Sequence, residues 1–121
     1  MNATRRIRAP LVPGHADVIR VLGALASLSN RMLDAANAHA WHEVTELERE
    51  RAQLVELLFG GPLPVALHDL VADTVSGMLR SDRETSELAA RAREAARAEL
   101  DQHARGRQAA VAYRNEALAG A

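Results

Sequence analysis

The run from Pro64 to about Arg105 constrains the fold most, because it has no proline after its first residue and a single glycine, Gly77. Apolar or small side chains recur in it at steps of three and four residues, which is typical of one face of an α-helix. These positions are Leu67, Val71, Thr74, Met78, Thr85, Leu88, Ala92 and Ala95. At about 1.5 Å per residue this helix could exceed about 60 Å, so shorter helices are expected to cover only part of it. A bend is expected between Gly77 and Asp82, and Gly106 suits a C-terminal cap.

The composition indicates an all-α protein. Alanine is frequent, the aromatic residues are Trp41, Phe59 and Tyr113, and β-branched residues never alternate with polar ones over the length of a strand. The chain has no cysteine, which excludes a disulfide framework and a thiolate nucleophile. Its formal net charge of -1 argues against direct binding of nucleic acid by the whole surface. No apolar run is long enough for a secretory signal or a transmembrane span, so stable membrane insertion is not expected.

Two regions are expected along the chain. Residues 1–14 contain arginines, two prolines and a glycine, a composition that does not hold a helix, and they are predicted to form a flexible arm. Residues 15–121 are predicted to form a single helical domain.

Three further helices accompany the long one. The first is predicted from Asp17 to Ala38, the second from Trp41 to Leu58, and a short amphipathic one from Gln108 to Leu118. The segment FGGPLP breaks the second helix from the third. The predicted fold is a four-helix antiparallel bundle-like domain with a long third helix and a short C-terminal helix. Phe59, beside the break, either caps the end of the bundle or forms an exposed apolar docking point.

Two charged residues interrupt the apolar stripes. Arg51 stands at a seam position of the second helix, and Asp82 interrupts the stripe of the third. The stem of Arg51 is expected to lie along apolar surface while its guanidinium reaches a carboxylate. Asp82 is expected to pair with an arginine that fixes the packing, either Arg51 or Arg80.

Residues that carry catalytic or metal chemistry are sparse. His39, His42, Glu43 and Glu46 have a spacing that helices use to hold metal ions. They straddle a predicted helix break, however, and no second set of ligands matches them on another helix. Serines lack the setting of a nucleophile, and no glycine-rich loop follows a strand. Catalysis, a bound metal and a cofactor are therefore not expected, and a helical interaction module is the remaining class.

Several sequence blocks resemble the flagellar protein FliT family. They are AWHEVTELERERAQLVELLF, a break that contains proline, MLRSDRETSELAARAR and GRQAAVAY. The resemblance spans roughly residues 17 to 118. It includes a tryptophan that opens the second helix, the L-E-x-x-R pattern that ends at Arg51, the D-x-E pattern that begins at Asp82, and a closing Ala112-Tyr113.

The resemblance implies an export chaperone in the bacterial cytosol. Members of the family hold the C-terminal region of the filament-cap subunit FliD, prevent its premature assembly, and deliver it to the type III secretion apparatus through the export ATPase and associated components. Relatives in enteric bacteria also bind and restrain the flagellar master transcription regulator. The resemblance does not indicate whether this chain is a monomer or a homodimer.

The resemblance also implies a client groove and a lid. An amphipathic client helix needs spaced aliphatic anchors, and helices two and three offer Val55, Leu58, Leu67, Val71 and Met78. Packing in the core is the alternative role for these same residues. The last helix, with Val111, Tyr113 and Leu118, is expected to act as a lid that covers the binding surface until it is displaced. It has few apolar contacts to offer, so its attachment should be reversible.

Two other classes remain open at this stage. One is a structural helical or coiled-coil assembly protein without a client, which would bury the long stripe in a symmetric dimer. The other is a metal-binding helical bundle, which would retain stoichiometric metal and lose it when His42 is changed to alanine.

Overall fold

The computed structural model describes residues 14–120, and these form three α-helices and one turn of 3-10 helix. Helix α1 spans His15–Asn37, α2 spans Trp41–Phe59, the 3-10 turn spans Val65–Leu67, and α3 spans His68–Ala119. The predicted all-α class is confirmed, since no strand occurs among residues 14–120. The predicted arm lies outside the described residues, except for Gly14.

Packing divides the chain into two units. The first ends at Ser86, and the second begins at Glu87. Each unit is described separately below. The prediction of a single domain over residues 15–121 stays a prediction.

The turn between α1 and α2 is a C-terminal cap of the Schellman type. Its two hydrogen bonds run from the amide of Ala40 to the carbonyl of Ala35, at 2.8 Å, and from the amide of His39 to the carbonyl of Ala36, at 3.1 Å. His39 has a φ of 58°, the left-handed conformation that glycine usually supplies at this position. The predicted break at this place is confirmed, and a histidine rather than a glycine makes the turn.

The core of the first unit is aliphatic and joins all its helical segments. One cluster contains residues that are each at most 9% exposed: Val18, Leu22, Leu25, Leu58, Leu67 and Val71. Val21, Leu54, Val55, Leu63, Val75 and Met78 are partly buried against it. Helix α1 contributes most of the buried side chains, and its buried face continues through Leu28 and Met32 toward the turn. Each fully buried side chain of this size contributes roughly 1.5–3 kcal/mol through the hydrophobic effect.

Helix α3 differs from the prediction at both ends. It begins at His68 rather than Pro64, because a 3-10 turn with Pro64 as its N-cap comes first. It also continues through Gly106 to Ala119, so the predicted cap at Gly106 is wrong. The segment from Gln108 to Leu118 is the end of α3 and not a separate fourth helix.

The physical reason for this difference is local. No glycine among the described residues has a positive φ, so Gly106 adopts an ordinary helical conformation. A glycine in a helix costs only about 1 kcal/mol relative to alanine. Its neighbours from Ala104 to Ala110 are alanine, arginine and glutamine, which are strong helix formers and offset that cost.

Replacing His39 with glycine should stabilise the protein. The left-handed conformation costs an L-residue roughly 1–2 kcal/mol, and the greater freedom of glycine in the unfolded chain cancels part of that gain. We expect the free energy of unfolding to rise by about 0.5–1 kcal/mol, measured by urea denaturation. The control His39→Ala keeps the strained conformation and should give no gain. A glycine variant no more stable than the alanine variant would contradict this account of the turn.

Candidate functional site

A partly buried arginine joins the three helices of the first unit. The guanidinium of Arg51 in α2 donates two hydrogen bonds to the carboxylate of Asp82 in α3, with nitrogen–oxygen distances of 2.7 and 3.0 Å. The same guanidinium donates a third hydrogen bond to the hydroxyl of Ser29 in α1, at 3.1 Å. The side chain of Arg51 is 12% exposed and that of Asp82 is 37% exposed. Two parallel N–H···O bonds of this kind give both strength and a defined geometry.

This arrangement confirms the predicted role of Arg51 and selects it, rather than Arg80, as the partner of Asp82. Ser29, which is 3% exposed, is the member that sequence reasoning missed. The sequence feature that could have identified Ser29 is its place as a polar residue on the apolar face of α1, directly after Leu28 and three residues before Met32. The carboxylate is occupied by the guanidinium on both oxygens, so the group fixes packing rather than presenting a free acid or base.

The five predicted groove residues come together in one cluster. Leu58, Leu67 and Val71 are buried core residues, at 4%, 9% and 7% exposure, in the same cluster as residues of α1. Val55 and Met78 lie at its edge and are partly buried. Core packing therefore occupies three of the five side chains, and only Val55 and Met78 retain surface for another molecule. The binding role of the groove stays a prediction.

Met78 also lines a cleft of about 380 Å³ between α1 and α3 in the first unit. Its other walls combine small residues, among them Ala26 and Gly77, with the charged side chains of Asp73 and Glu84. Most of the lining is polar or charged, and it also includes Arg80. This cleft adds accessible surface next to one of the two partly buried groove residues.

Large apolar side chains are exposed around one end of the first unit. They are Ile19 near the start of α1, Leu57 and Phe59 at the end of α2, Val65 in the 3-10 turn and Leu70 at the start of α3, with exposures of 50%, 67%, 52%, 80% and 42%. We call these five residues the apolar rim. Each is next to, or two residues from, a member of the core cluster in sequence, and Ile19 follows Val18. Half of the Phe59 side chain is exposed, so of the two interpretations of this residue the exposed apolar position fits the structure.

The predicted lid residues lie in the second unit, and all of them are exposed. Val111, Tyr113 and Leu118 are 50%, 76% and 69% exposed, and every residue from 108 to 120 is exposed. Their role as a lid stays a prediction.

The histidine and glutamate residues weighed as metal ligands do not assemble into a larger set. His42 lies 3.4 Å from the carboxylate of Glu46, while His39 makes an edge contact with the ring of Trp41. Within residues 14–120 no three histidine, aspartate or glutamate side chains are grouped so that they could hold a metal ion. Nor does this part of the chain contain a helix with the length and apolar character needed to cross a membrane.

The fold and its surface define a small all-helical protein in which Arg51, Asp82 and Ser29 form a polar lock between helices and apolar side chains are exposed at one end of the first unit. The family model described as "Flagellar protein FliT" matches residues 19–115, and the chain belongs to this family. The resemblance found in the sequence blocks is thus confirmed, and both Arg51 and Asp82 lie within the matched range. Comparisons with curated proteins and with solved structures found no match.

Removing the acid of the polar lock should destabilise the protein more than removing an exposed acid. In Asp82→Ala the Arg51 guanidinium stays mostly buried without its partner, and we expect a loss of about 1–3 kcal/mol in urea denaturation. Water that reaches Asp82 keeps the loss below that of a fully buried pair. The control is Glu46→Gln, which weakens exposed contacts with Arg49 at 3.8 Å and His42 at 3.4 Å and should cost about 0–0.5 kcal/mol.

The double variant Arg51→Met with Asp82→Leu distinguishes a lost charge partner from lost packing. It removes both charges together, so we expect it to be more stable than Asp82→Ala alone. If it is less stable than the single variant, the packing around the lock rather than the unpaired charge accounts for the loss.

Proposed function

We propose that this chain is an export chaperone of the bacterial cytosol that binds the C-terminal region of the flagellar filament-cap subunit, FliD, and prevents its premature assembly. The observation that carries the proposal is membership of the FliT family over residues 19–115. Delivery to the type III secretion apparatus, through the export ATPase or its associated components, belongs to the same proposal. Restraint of the flagellar master transcription regulator is a further activity that the resemblance implies for some members.

The client is proposed to bind on the first unit, over Val55 and Met78. Both side chains lie at the edge of the core cluster, and a client helix that covers them would extend a hydrophobic surface already organised by Leu58, Leu67 and Val71. These three would act as the floor of the groove. The apolar rim adds exposed aliphatic and aromatic surface to the same unit, which supports binding of an amphipathic helix through spaced anchors.

We further propose that the segment from Gln108 to Leu118 has a closed state in which it forms a fourth helix and competes with the client. Closing requires the helix to break, and Gly106 is the natural position because glycine already lowers helical stability by about 1 kcal/mol relative to alanine. The weak amphipathicity of the segment supports a cover that is readily displaced. The continuous form of α3 then corresponds to the open state.

Client binding should depend on Met78 and not on the neighbouring Leu79. Leu79 is 58% exposed and outside the core cluster, so Leu79→Asp is a matched control for Met78→Asp. Loss of a desolvated aliphatic contact of roughly 1.5–3 kcal/mol predicts at least about tenfold weaker binding for Met78→Asp. The measurement is isothermal titration calorimetry with the purified C-terminal region of the cap subunit from the same host.

Thermal unfolding of both variants must first show a folded protein, and Val55→Asp gives a second, independent change in the groove. Equal losses in Met78→Asp and Leu79→Asp would contradict the placement of the groove. No binding of the cap subunit by the unaltered chain would overturn the proposed function. Light scattering that shows a stable dimer without a client would then favour the structural assembly protein.

Removing or opening the lid should strengthen client binding. Deletion of residues 108–121 removes a competitor, and Gly106→Ala favours the continuous helix by about 1 kcal/mol, which corresponds to a few-fold gain in affinity if the closed state predominates. Gly23→Ala, which changes an exposed helical glycine with open space around it in the first unit, is the control and should leave affinity unchanged. Unchanged or weaker binding after the deletion would refute the lid.

A further inference from the structure

The second unit carries arginines on one face of its helix. Arg93, Arg97, Arg107 and Arg114 are all exposed, and at about 100° per residue they fall within a sector of roughly 100°. We call these four residues the arginine stripe. None of them forms an ion pair within the part of the chain that the structure describes.

Aliphatic side chains lie in the same sector, between the arginines. Leu100, Val111 and Leu118 are exposed by 69%, 50% and 69%, and Ala104 stands between the first two. Val111 and Leu118 are seven residues apart, the spacing of positions that insert into a partner helix in a coiled coil. A shallow depression of about 420 Å³ follows this face between Ala104 and Asn115.

The acidic residues of the unit lie on other faces. The helical period puts Asp101, Glu94, Glu87 and Glu116 roughly 90° to 150° from the centre of the stripe, and Glu99 roughly 110° from it in the opposite direction. Arg105 and Arg91 lie on the same side as the first four, roughly 130° and 170° from the centre. The charges are therefore segregated, with a cationic and aliphatic face opposed to a mixed, largely acidic one.

We propose that the arginine stripe and its aliphatic residues bind an acidic amphipathic helix of a partner protein. Charge complementarity identifies the occupant, because guanidinium groups pair with carboxylates in a bidentate geometry and the aliphatic residues supply anchors between them. The surface lies on the second unit and is distinct from the client groove proposed on the first. It goes beyond the proposed function, and because Val111, Arg114 and Leu118 also belong to the proposed lid, the stripe face is available in the continuous form of α3 that the structure shows.

Other occupants fit the same face less well. A second copy of this chain would bring arginines against arginines in a symmetric pairing, which like-charge repulsion opposes. A bilayer surface is normally bound with a broad apolar face that includes aromatic residues, whereas this sector has three large aliphatic side chains and no aromatic one. Nucleic acid requires a wider positive surface than a unit with acidic neighbouring faces offers.

The test uses the full chain and a synthetic helical peptide labelled with fluorescein, which has leucine at the a and d positions and glutamate at the flanking positions of each heptad. A peptide of the same composition in shuffled order, without an apolar face, is the control ligand. Binding is followed by fluorescence anisotropy at low and high salt. We expect the chain to bind the ordered peptide at least about tenfold more tightly than the shuffled one, and binding to weaken as salt rises.

Two charge-reversal variants locate the surface. The double variant Arg97→Glu with Arg107→Glu reverses two charges of the stripe that precede the proposed lid in sequence. It should weaken peptide binding by at least about tenfold. Arg91→Glu with Arg105→Glu makes the same charge change on the opposite side of the same helix, and it should change binding by less than about twofold. Circular dichroism checks that helix content is kept in both.

Three outcomes would overturn the proposal. Equal losses in the two variants, or equal binding of the shuffled peptide, would mean non-specific attraction to net charge. Stripe-dependent binding to vesicles that contain phosphatidylserine, without binding of the peptide, would assign the face to a membrane surface. Dimerisation that the stripe variant abolishes would assign it to a second copy of the chain. Cap-subunit affinity is measured separately, so failure here leaves the proposed chaperone function untouched.

Discussion

The first unit depends on the hydrogen bonds that the guanidinium of Arg51 donates. Its hydrogen bonds to Asp82 and Ser29 connect all three helices through one side chain. The surrounding core consists of leucine, valine, alanine and methionine, whose attraction is non-directional and tolerates small shifts between helices. A bidentate ion pair has a defined direction and distance, and it therefore sets the register at which these aliphatic surfaces meet.

The limited core explains why so much apolar surface stays exposed. Helix α3 is 52 residues long, yet Val71 is the one buried residue among its described positions. Two short helices cannot cover a helix of that length. The exposure of the aliphatic residues beside the arginine stripe, Leu100, Val111 and Leu118, is a consequence of this imbalance. These exposed apolar side chains are the surfaces that the proposed binding roles would use.

Gly106 is a position of lowered helical stability in the C-terminal part of α3. The local sequence around it favours helix strongly enough to absorb the cost of glycine, so α3 continues to Ala119. Glycine lowers the helical stability at this residue by about 1 kcal/mol relative to alanine, so a break here costs less than at the alanines beside it. A competing segment needs this property if it is to open on binding and close again afterwards.

Periodicity and residue chemistry were sufficient for the all-α class, for the turn at Ala38 to Ala40, and for pairing of Arg51 with a carboxylate. These follow from local rules, because apolar residues at helical spacing form a helix and a charge removed from water requires an opposite charge beside it. The partner role of Ser29, the exposure of Phe59 and the burial of Leu58, Leu67 and Val71 needed the tertiary structure. An apolar stripe has the same sequence pattern whether a core or a client covers it, and only the position of α1 distinguishes the two.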